Sequence, residues 1–234
     1  TGAGISKQSN IPTFMERPDV REKLFRTFAE HHHEAYNEVI RELKANMNGA
    51  EPNDAHFALA EYKVPVITMN IDGLHKKAGS DALELHGGLP EDDEMDKAWA
   101  LHNKPVLYGD PAPNYVKAYE RTAELKPGDV FLVIGCSYHT AIACDLRDVA
   151  KHAGAKVIEI QEDAALLCLS FLNRLGGKVG EEGGEGAEED AGEDIGRVVD
   201  KKKNAGERDE HCRNVREPAD FFVAERQNKR CGKA

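Results

Sequence analysis

Residues 127–161 constrain the fold of this chain more than any other stretch. Pro127-Gly128-Asp129 is a tight turn, Val130-Phe131-Leu132-Val133-Ile134 is apolar at every position, and Gly135-Cys136-Ser137 closes the run with small residues. A run without polar alternation is buried on both faces, the environment of a parallel strand covered by helices on each side. Helical spacing then extends over 141–153, Gly154 ends it, and Lys156-Val157-Ile158-Glu159-Ile160 forms the next strand before Gln161. Strand, helix and strand at this spacing make a βαβ unit with a right-handed crossover, and such sheets hold their ligands at the carboxyl ends of the strands. The loops that follow strands are therefore the places to look for function.

Residues 64–87 repeat the pattern. An apolar strand runs to Met69 and opens into Asn70-Ile71-Asp72-Gly73, a helical turn covers 74–79, and a short strand at 82–85 delivers His86. Gly2-Ala3-Gly4-Ile5-Ser6 forms a third loop of small residues, whose preceding strand is expected to be missing from the sequence. Glycines let a ligand approach the backbone and leave N–H groups free for phosphate oxygens. With Asn70, Asp72 and Ser137, these loops suit a dinucleotide laid along one sheet edge, and His86 has the near-neutral pKa of an acid–base group. An ordinary strand and loop bearing a surface histidine is the less favoured reading of residues 64–87 taken alone.

Between these segments the chain is more ordinary. Val20, Leu24, Phe28, Tyr36, Val39, Ile40, Leu43 and Met47 recur at helical spacing over 19–47. His31, His32 and His33 are consecutive, point in different directions around a helix, and are expected to be exposed. Asn53 or Asp54 is expected to cap a helix to Tyr62, with His56 in a packing or capping role. Residues 91–102 carry weak helical spacing, 106–108 a brief strand and 115–125 a helix. Domain organisation reads as a catalytic domain over 1–175, an acidic low-complexity segment over 176–218, and a possible last strand with a polar tail over 219–234. The acidic tract holds eight acidic residues and no basic one between Glu181 and Asp194, too little apolar surface to order itself.

A formal net charge of -11 disfavours nucleic acid or an anionic membrane as the principal partner, and no apolar run approaches the roughly 18 to 20 residues that cross a bilayer. Five scattered cysteines without a CxxC pair argue against a disulfide scaffold or a four-cysteine zinc site. The expected setting is intracellular, cytoplasmic or nuclear, with the mitochondrion left open because the chain begins inside a motif.

The motifs GAGIS with IP-x-F, EPNDAHFAL, NIDGLH with ELHG, VIGCS and VIEIQ together resemble the sirtuin (Sir2) family of NAD-dependent protein deacylases. The resemblance spans about 1–163, and implies an α/β fold: a Rossmann-like parallel sheet with helices on both faces and a small zinc-binding domain, here reduced or absent. It implies NAD as cofactor and an acylated-lysine protein or peptide as partner. Gly2, Ala3, Gly4 and Ile5 would meet the phosphates, Phe14 would lie by the nicotinamide, and Asn70, Ile71 and Asp72 would hold the ribose and the nicotinamide amide. Gly135, Cys136 and Ser137 would support the phosphate–ribose region, Gln161 stands at the position expected to reach the adenine ribose, and His86 would be the general base. In the family's reaction the acyl oxygen attacks C1′ of the nicotinamide ribose, nicotinamide leaves, and the acyl group passes to ADP-ribose after the histidine activates a ribose hydroxyl.

Several positions depart from the family pattern. Met15 stands where an arginine is usual, Met69 replaces a glutamine, Cys136 a threonine and Gln161 an asparagine. Each loss removes one or a few hydrogen bonds, roughly 0.5–1.5 kcal/mol apiece. Between His86 and Pro105 the family's two CxxC pairs are replaced by a cysteine-free acidic segment, so no metal site is expected. Two readings remain: a protein-lysine deacylase, or a catalytically impaired binding or interaction protein for NAD or ADP-ribose. An unrelated Rossmann oxidoreductase fits less well, because GxGxxG spacing is absent.

Overall fold

The computed structural model describes residues 1–13, 16–138, 140–161, 163–164, 168 and 170–173. The expected acidic segment over 176–218 and the last strand over 219–234 lie outside the described residues, as does Phe14.

The strands form two parallel two-stranded sheets. β1 (Val66–Thr68) pairs with β2 (Ala82–Glu84), and β3 (Val130–Ile134) pairs with β4 (Lys156–Ile160) in register from Val130 opposite Lys156 to Ile134 opposite Ile160. Thr1 and Gly2 join the pairs. The Thr1 amino group donates to Ile67 O at 2.7 Å, Met69 N donates to Thr1 O at 3.1 Å, and Gly2 N donates to Ile134 O at 3.0 Å. Thr1 thus makes a parallel-type pair of bonds to β1 and Gly2 a single bond to the end of β3, so residues 1–2 run between the two strand pairs.

Alternation along the strands assigns the two faces. Val66, Leu132, Ile134, Ile158 and Ile160 pack with Ile5 and with Ala55, Ala58 and Leu59 of α4 (Asp54–Glu61), together with Cys168, Phe171 and Leu172. Ile67, Leu83 and Phe131 point the other way, onto Ala118 of α6 (Asn114–Ala123) and Ile142 and Leu146 of α7 (Ala141–His152). The expected Rossmann-like arrangement, a parallel sheet flanked by helices on both faces, is what the chain adopts.

The helical stretch expected over 19–47 is instead three pieces, α1 (Pro18–Arg21), α2 (Arg26–His31) and α3 (His33–Met47). Phe25 is extended (φ -98°, ψ 141°) because it bridges Tyr108, with Tyr108 N donating to Leu24 O and Arg26 N to Tyr108 O. The strand expected at 106–108 reduces to this single bridge. His32, at φ -135° and ψ 58°, makes the second break, and His31, His32 and His33 are exposed as expected. Apolar periodicity survived both breaks because it reports which face is buried rather than whether the backbone is continuous.

These helices and a 3-10 helix at Asp92–Ala100 form a small lobe around Val20, Leu24, Tyr36, Ile40, Met95, Ala98 and Leu107. Its polar anchor is Arg26. The guanidinium donates Nε to Asp110 Oδ1 and Nη2 to Asp110 Oδ2, both at 2.7 Å, and reaches Trp99 O at 2.6 Å and Leu101 O at 2.8 Å. Asp110 also accepts from Leu107 N at 3.1 Å. Burial opposes ionisation of Asp110, yet the bonds from Arg26 and Leu107 outweigh it and hold the carboxyl below its usual range. Breaking a buried pair leaves one charge without compensation, so Arg26→Ala is expected to destabilise the chain by about 3–5 kcal/mol in urea unfolding. A change under about 1 kcal/mol would mean that the lobe holds without the pair.

Candidate functional site

Three strand ends converge. Gly2 to Ser6 enters a 3-10 helix at Ala3–Ser9, Asn70 to Gly73 follows β1, and Gly135 to Ser137 follows β3. The first and third loops touch through their backbones: Gly4 N donates to Gly135 O at 3.0 Å, and a Cβ on Gly4 would sit 2.6 Å from Gly135 Cα. Gly135 itself is at φ 59°, a region that glycine enters without penalty. No larger residue fits either position without moving the loops apart.

Ser6 ties the first loop to the second. Its buried hydroxyl donates to Asp72 Oδ2 at 2.7 Å and accepts from Asn70 Nδ2 at 3.1 Å, while Asp72 Oδ1 accepts from Leu74 N at 3.0 Å, the first residue of α5 (Leu74–Lys77). Asn53 fixes the same loop from behind: Nδ2 reaches Ile5 O at 2.8 Å and Ser9 Oγ at 3.1 Å, and its Oδ1 caps α4. Ala3, Ser6, Thr13, Asn70, Ile71 and Asp72 surround one cavity with Arg17 at its rim. Arg17 is shared between Asp19 and Glu42 at 2.9 and 2.7 Å.

Other expected residues frame this cavity at different depths. Ile5 is fully buried in the core beneath the loop, and its N and O are engaged with Gly2 O and Asn53 Nδ2. Cys136 is buried, and its carbonyl accepts from Arg147 Nη2 at 3.0 Å. Arg147 is itself buried, stacks on Tyr138 at 4.6 Å and lies 3.3 Å from Glu159, so it braces the Gly135–Ser137 turn from below. Ser137 and Gln161 are exposed at the ends of β3 and β4.

His86 stands beyond Met69 from the cavity, at the end of β2. Nδ1 lies 2.9 Å from Met69 O and Nε2 lies 2.9 Å from the Tyr115 hydroxyl. A carbonyl only accepts, so Nδ1 carries the proton. Burial lowers the His86 pKa below 6.5, partly offset by the Met69 carbonyl, which keeps the ring neutral with its acceptor nitrogen at Nε2. Sequence reading named Asn70, Asp72 and His86 but missed the partners Ser6, Arg147 and Tyr115, which no local pattern marks.

A family model described as the Sir2 family matches residues 2–93. "NAD-dependent protein deacylase 2" of Archaeoglobus fulgidus is 34% identical over 218 residues, covering 77% of this chain and 85% of that protein. The chain belongs to the Sir2 family. A second relative, "NAD-dependent protein deacylase" of Ralstonia nicotianae, is 31% identical, with 71% of this chain and 80% of that protein covered. Among solved structures, a Sir2 homolog–NAD complex superposes with a TM-score of 0.64 at 23% identity, over 76% of this chain and 88% of that one. Sir2Tm bound to a propionylated peptide gives 0.62 at 25% identity, over 75% and 91%. In this Sir2-family chain residues 87–104 contain no cysteine, and among the described residues no group of three or more His, Cys, Asp or Glu is placed to hold a metal. The donor set here does not fit the family's zinc, and the Arg26–Asp110 pair ties down the segment that replaces the zinc module.

Two more histidines lie under the site. His56 and His75 are buried with ring centroids 4.8 Å apart; Asn53 N donates to His56 Nδ1, and His75 Nε2 meets Thr1 Oγ1 at 2.9 Å. Burial lowers both pKa values, that of His75 from 6.5 to about 3 with help from His56 and the Thr1 amine. The unfolded chain then binds more protons than the folded one below pH 6.5, so stability falls as pH drops below 6.5, with His75 contributing up to about 1.4 kcal/mol per pH unit down to about pH 3 and His56 adding in the same direction. Urea unfolding at pH 7 and pH 5 is expected to show the loss, smaller in His75→Gln. Equal stability of the wild type at both pH values would show that the rings are not held neutral.

Proposed function

We propose that the chain is an NAD-dependent protein-lysine deacylase, acting on an acylated-lysine protein or peptide with His86 as general base. The observation that carries the reading is the Asn70–Ser6–Asp72 network around a cavity, with a neutral histidine at the end of the neighbouring strand β2 held on the carbonyl of Met69, the residue before Asn70. The relatives' printed activities support it.

The residues present fit NAD. Ala3, Ser6 and Asn70 line the cavity that would take the cofactor, while Gly2 and Gly4 serve the close approach of this loop to Gly135, their N–H groups donating to Ile134 O and Gly135 O rather than standing free for phosphate. Ser137 and Gln161 stand exposed after β3 and β4, where the adenosine side would lie, and Arg17 lines the cavity while paired with Asp19 and Glu42. When bound, NAD supplies a ribose carbon that can exchange nicotinamide for the acyl oxygen. Asn70 orients the ribose, and the Asp72 carboxylate, aimed by Ser6 and Leu74 N, stabilises positive charge developing near it. His86, protonated at Nδ1 through Met69 O, offers Nε2 to take a proton from a ribose hydroxyl. The unoxidised thiols of Cys136 and Cys168 suit a reducing intracellular compartment.

Catalytically impaired binding of NAD or ADP-ribose is the second reading, favoured by Met69, whose apolar side chain packs on the sheet where the family pattern has an amide. Nicotinamide release separates the two. Release from NAD that requires an acylated-lysine peptide and disappears in His86→Ala supports the deacylase; NAD binding without release supports the second reading. Because burial depresses the His86 pKa and only its neutral form accepts a proton, kcat/KM is expected to fall on the acid side with a midpoint below 6.5. A midpoint above 7 would contradict the assignment of the base.

A further inference from the structure

His86 is engaged at both ring nitrogens. With the Nδ1 proton committed to Met69 O at 2.9 Å, Nε2 is the acceptor, and the Tyr115 hydroxyl at 2.9 Å must be the donor. The lone pair that a base would use is therefore already occupied. Tyr115 lies in the first turn of α6, beside Asn114, whose Nδ2 donates to Glu84 O at 2.8 Å and so ties that turn to β2 two residues before His86. The Tyr115 ring packs on the cluster formed by Leu83, Leu85, Ala118, Ile142 and Leu146. Among the described residues the hydroxyl has no other hydrogen-bond partner.

We propose that Tyr115 is a positioning residue for His86: its hydroxyl caps Nε2 in the ligand-free protein, fixes the tautomer with the proton on Nδ1, and yields its place to a substrate hydroxyl. The inference rests on the reading of His86 as the base. The exchange replaces one O–H···N bond by another and breaks no covalent bond; only afterwards does the substrate's proton pass to Nε2, leaving the substrate oxygen as the nucleophile. The phenol keeps its own proton throughout, in keeping with burial that pushes it up to about 12.

Diethyl pyrocarbonate, which acylates an imidazole nitrogen bearing a free lone pair, reads the cap without any turnover. Tyr115→Phe keeps the ring in its cluster and removes the hydroxyl alone. The rate of modification on the peptide containing His86, followed by mass spectrometry, is expected to rise about 5-fold in the variant, or about 1 kcal/mol at 1.4 kcal/mol per tenfold. Peptide-dependent kcat/KM for NAD is expected to rise by a similar factor, because the substrate hydroxyl no longer competes with the phenol. An unchanged modification rate overturns the cap, and a tenfold fall in kcat/KM in a folded variant overturns it in favour of a proton path through the phenol. In the wild-type protein, nitrogen NMR is expected to show His86 protonated at Nδ1; a ring protonated at Nε2 also overturns the proposal. If neither protein releases nicotinamide, the deacylase reading fails while the modification rates still decide the cap.

Discussion

The structure depends on the contact between the backbone of residues 1–4 and the end of β3. Gly2 N on Ile134 O and Gly4 N on Gly135 O hold the first loop against the third, while Thr1 bonds to β1 on its other side. These few bonds link two strand pairs that are otherwise separate two-stranded sheets. The contact is possible only without side chains: a Cβ on Gly2 would lie 2.8 Å from Gly135 O, inside any real packing distance. Everything proposed for function sits on the rim of this junction, because it is where three strand ends come within reach of one ligand.

Polar groups at the junction are aimed by neighbours rather than by their own loops. Ser6 sets Asn70 and Asp72, Asn53 sets the loop that carries Ser6, and Arg147 holds the Cys136 carbonyl from beneath. Such supports are expensive to lose, since a buried donor or acceptor left without its partner costs about 1–3 kcal/mol. The small lobe follows the same economy by different chemistry. Where the family pattern has cysteines and zinc, this chain closes a cluster of apolar side chains with one buried arginine that collects a carboxylate and two carbonyls.

The β3–α7–β4 unit and the loop Asn70 to Gly73 were legible because their signals are local: a continuous apolar run, a helix of one buried stripe, a turn of small and amide-bearing residues. His56 was legible as a capping residue for the same reason, three positions after Asn53. The breaks at Phe25 and His32 were not, since the bridge from Phe25 to Tyr108 joins residues far apart in sequence. Nor were the partners of the site: Ser6 reaches Asp72 across 66 positions and Tyr115 reaches His86 across 29. Sequence marks the residue types that chemistry needs, and only the fold decides which nitrogen or oxygen each one faces.

Calorimetric titration of NAD into the wild-type chain and Ser6→Ala tests the central claim most directly, because Ser6 touches both Asn70 and Asp72 and lies at the cavity. Removing its hydroxyl leaves two groups misaimed, and a loss of about 1–3 kcal/mol corresponds to roughly 5- to 150-fold weaker binding. Saturable NAD binding by the wild type that weakens by such a factor in the variant is the predicted result. Equal affinity of the two proteins would contradict a site built on the Asn70–Ser6–Asp72 network.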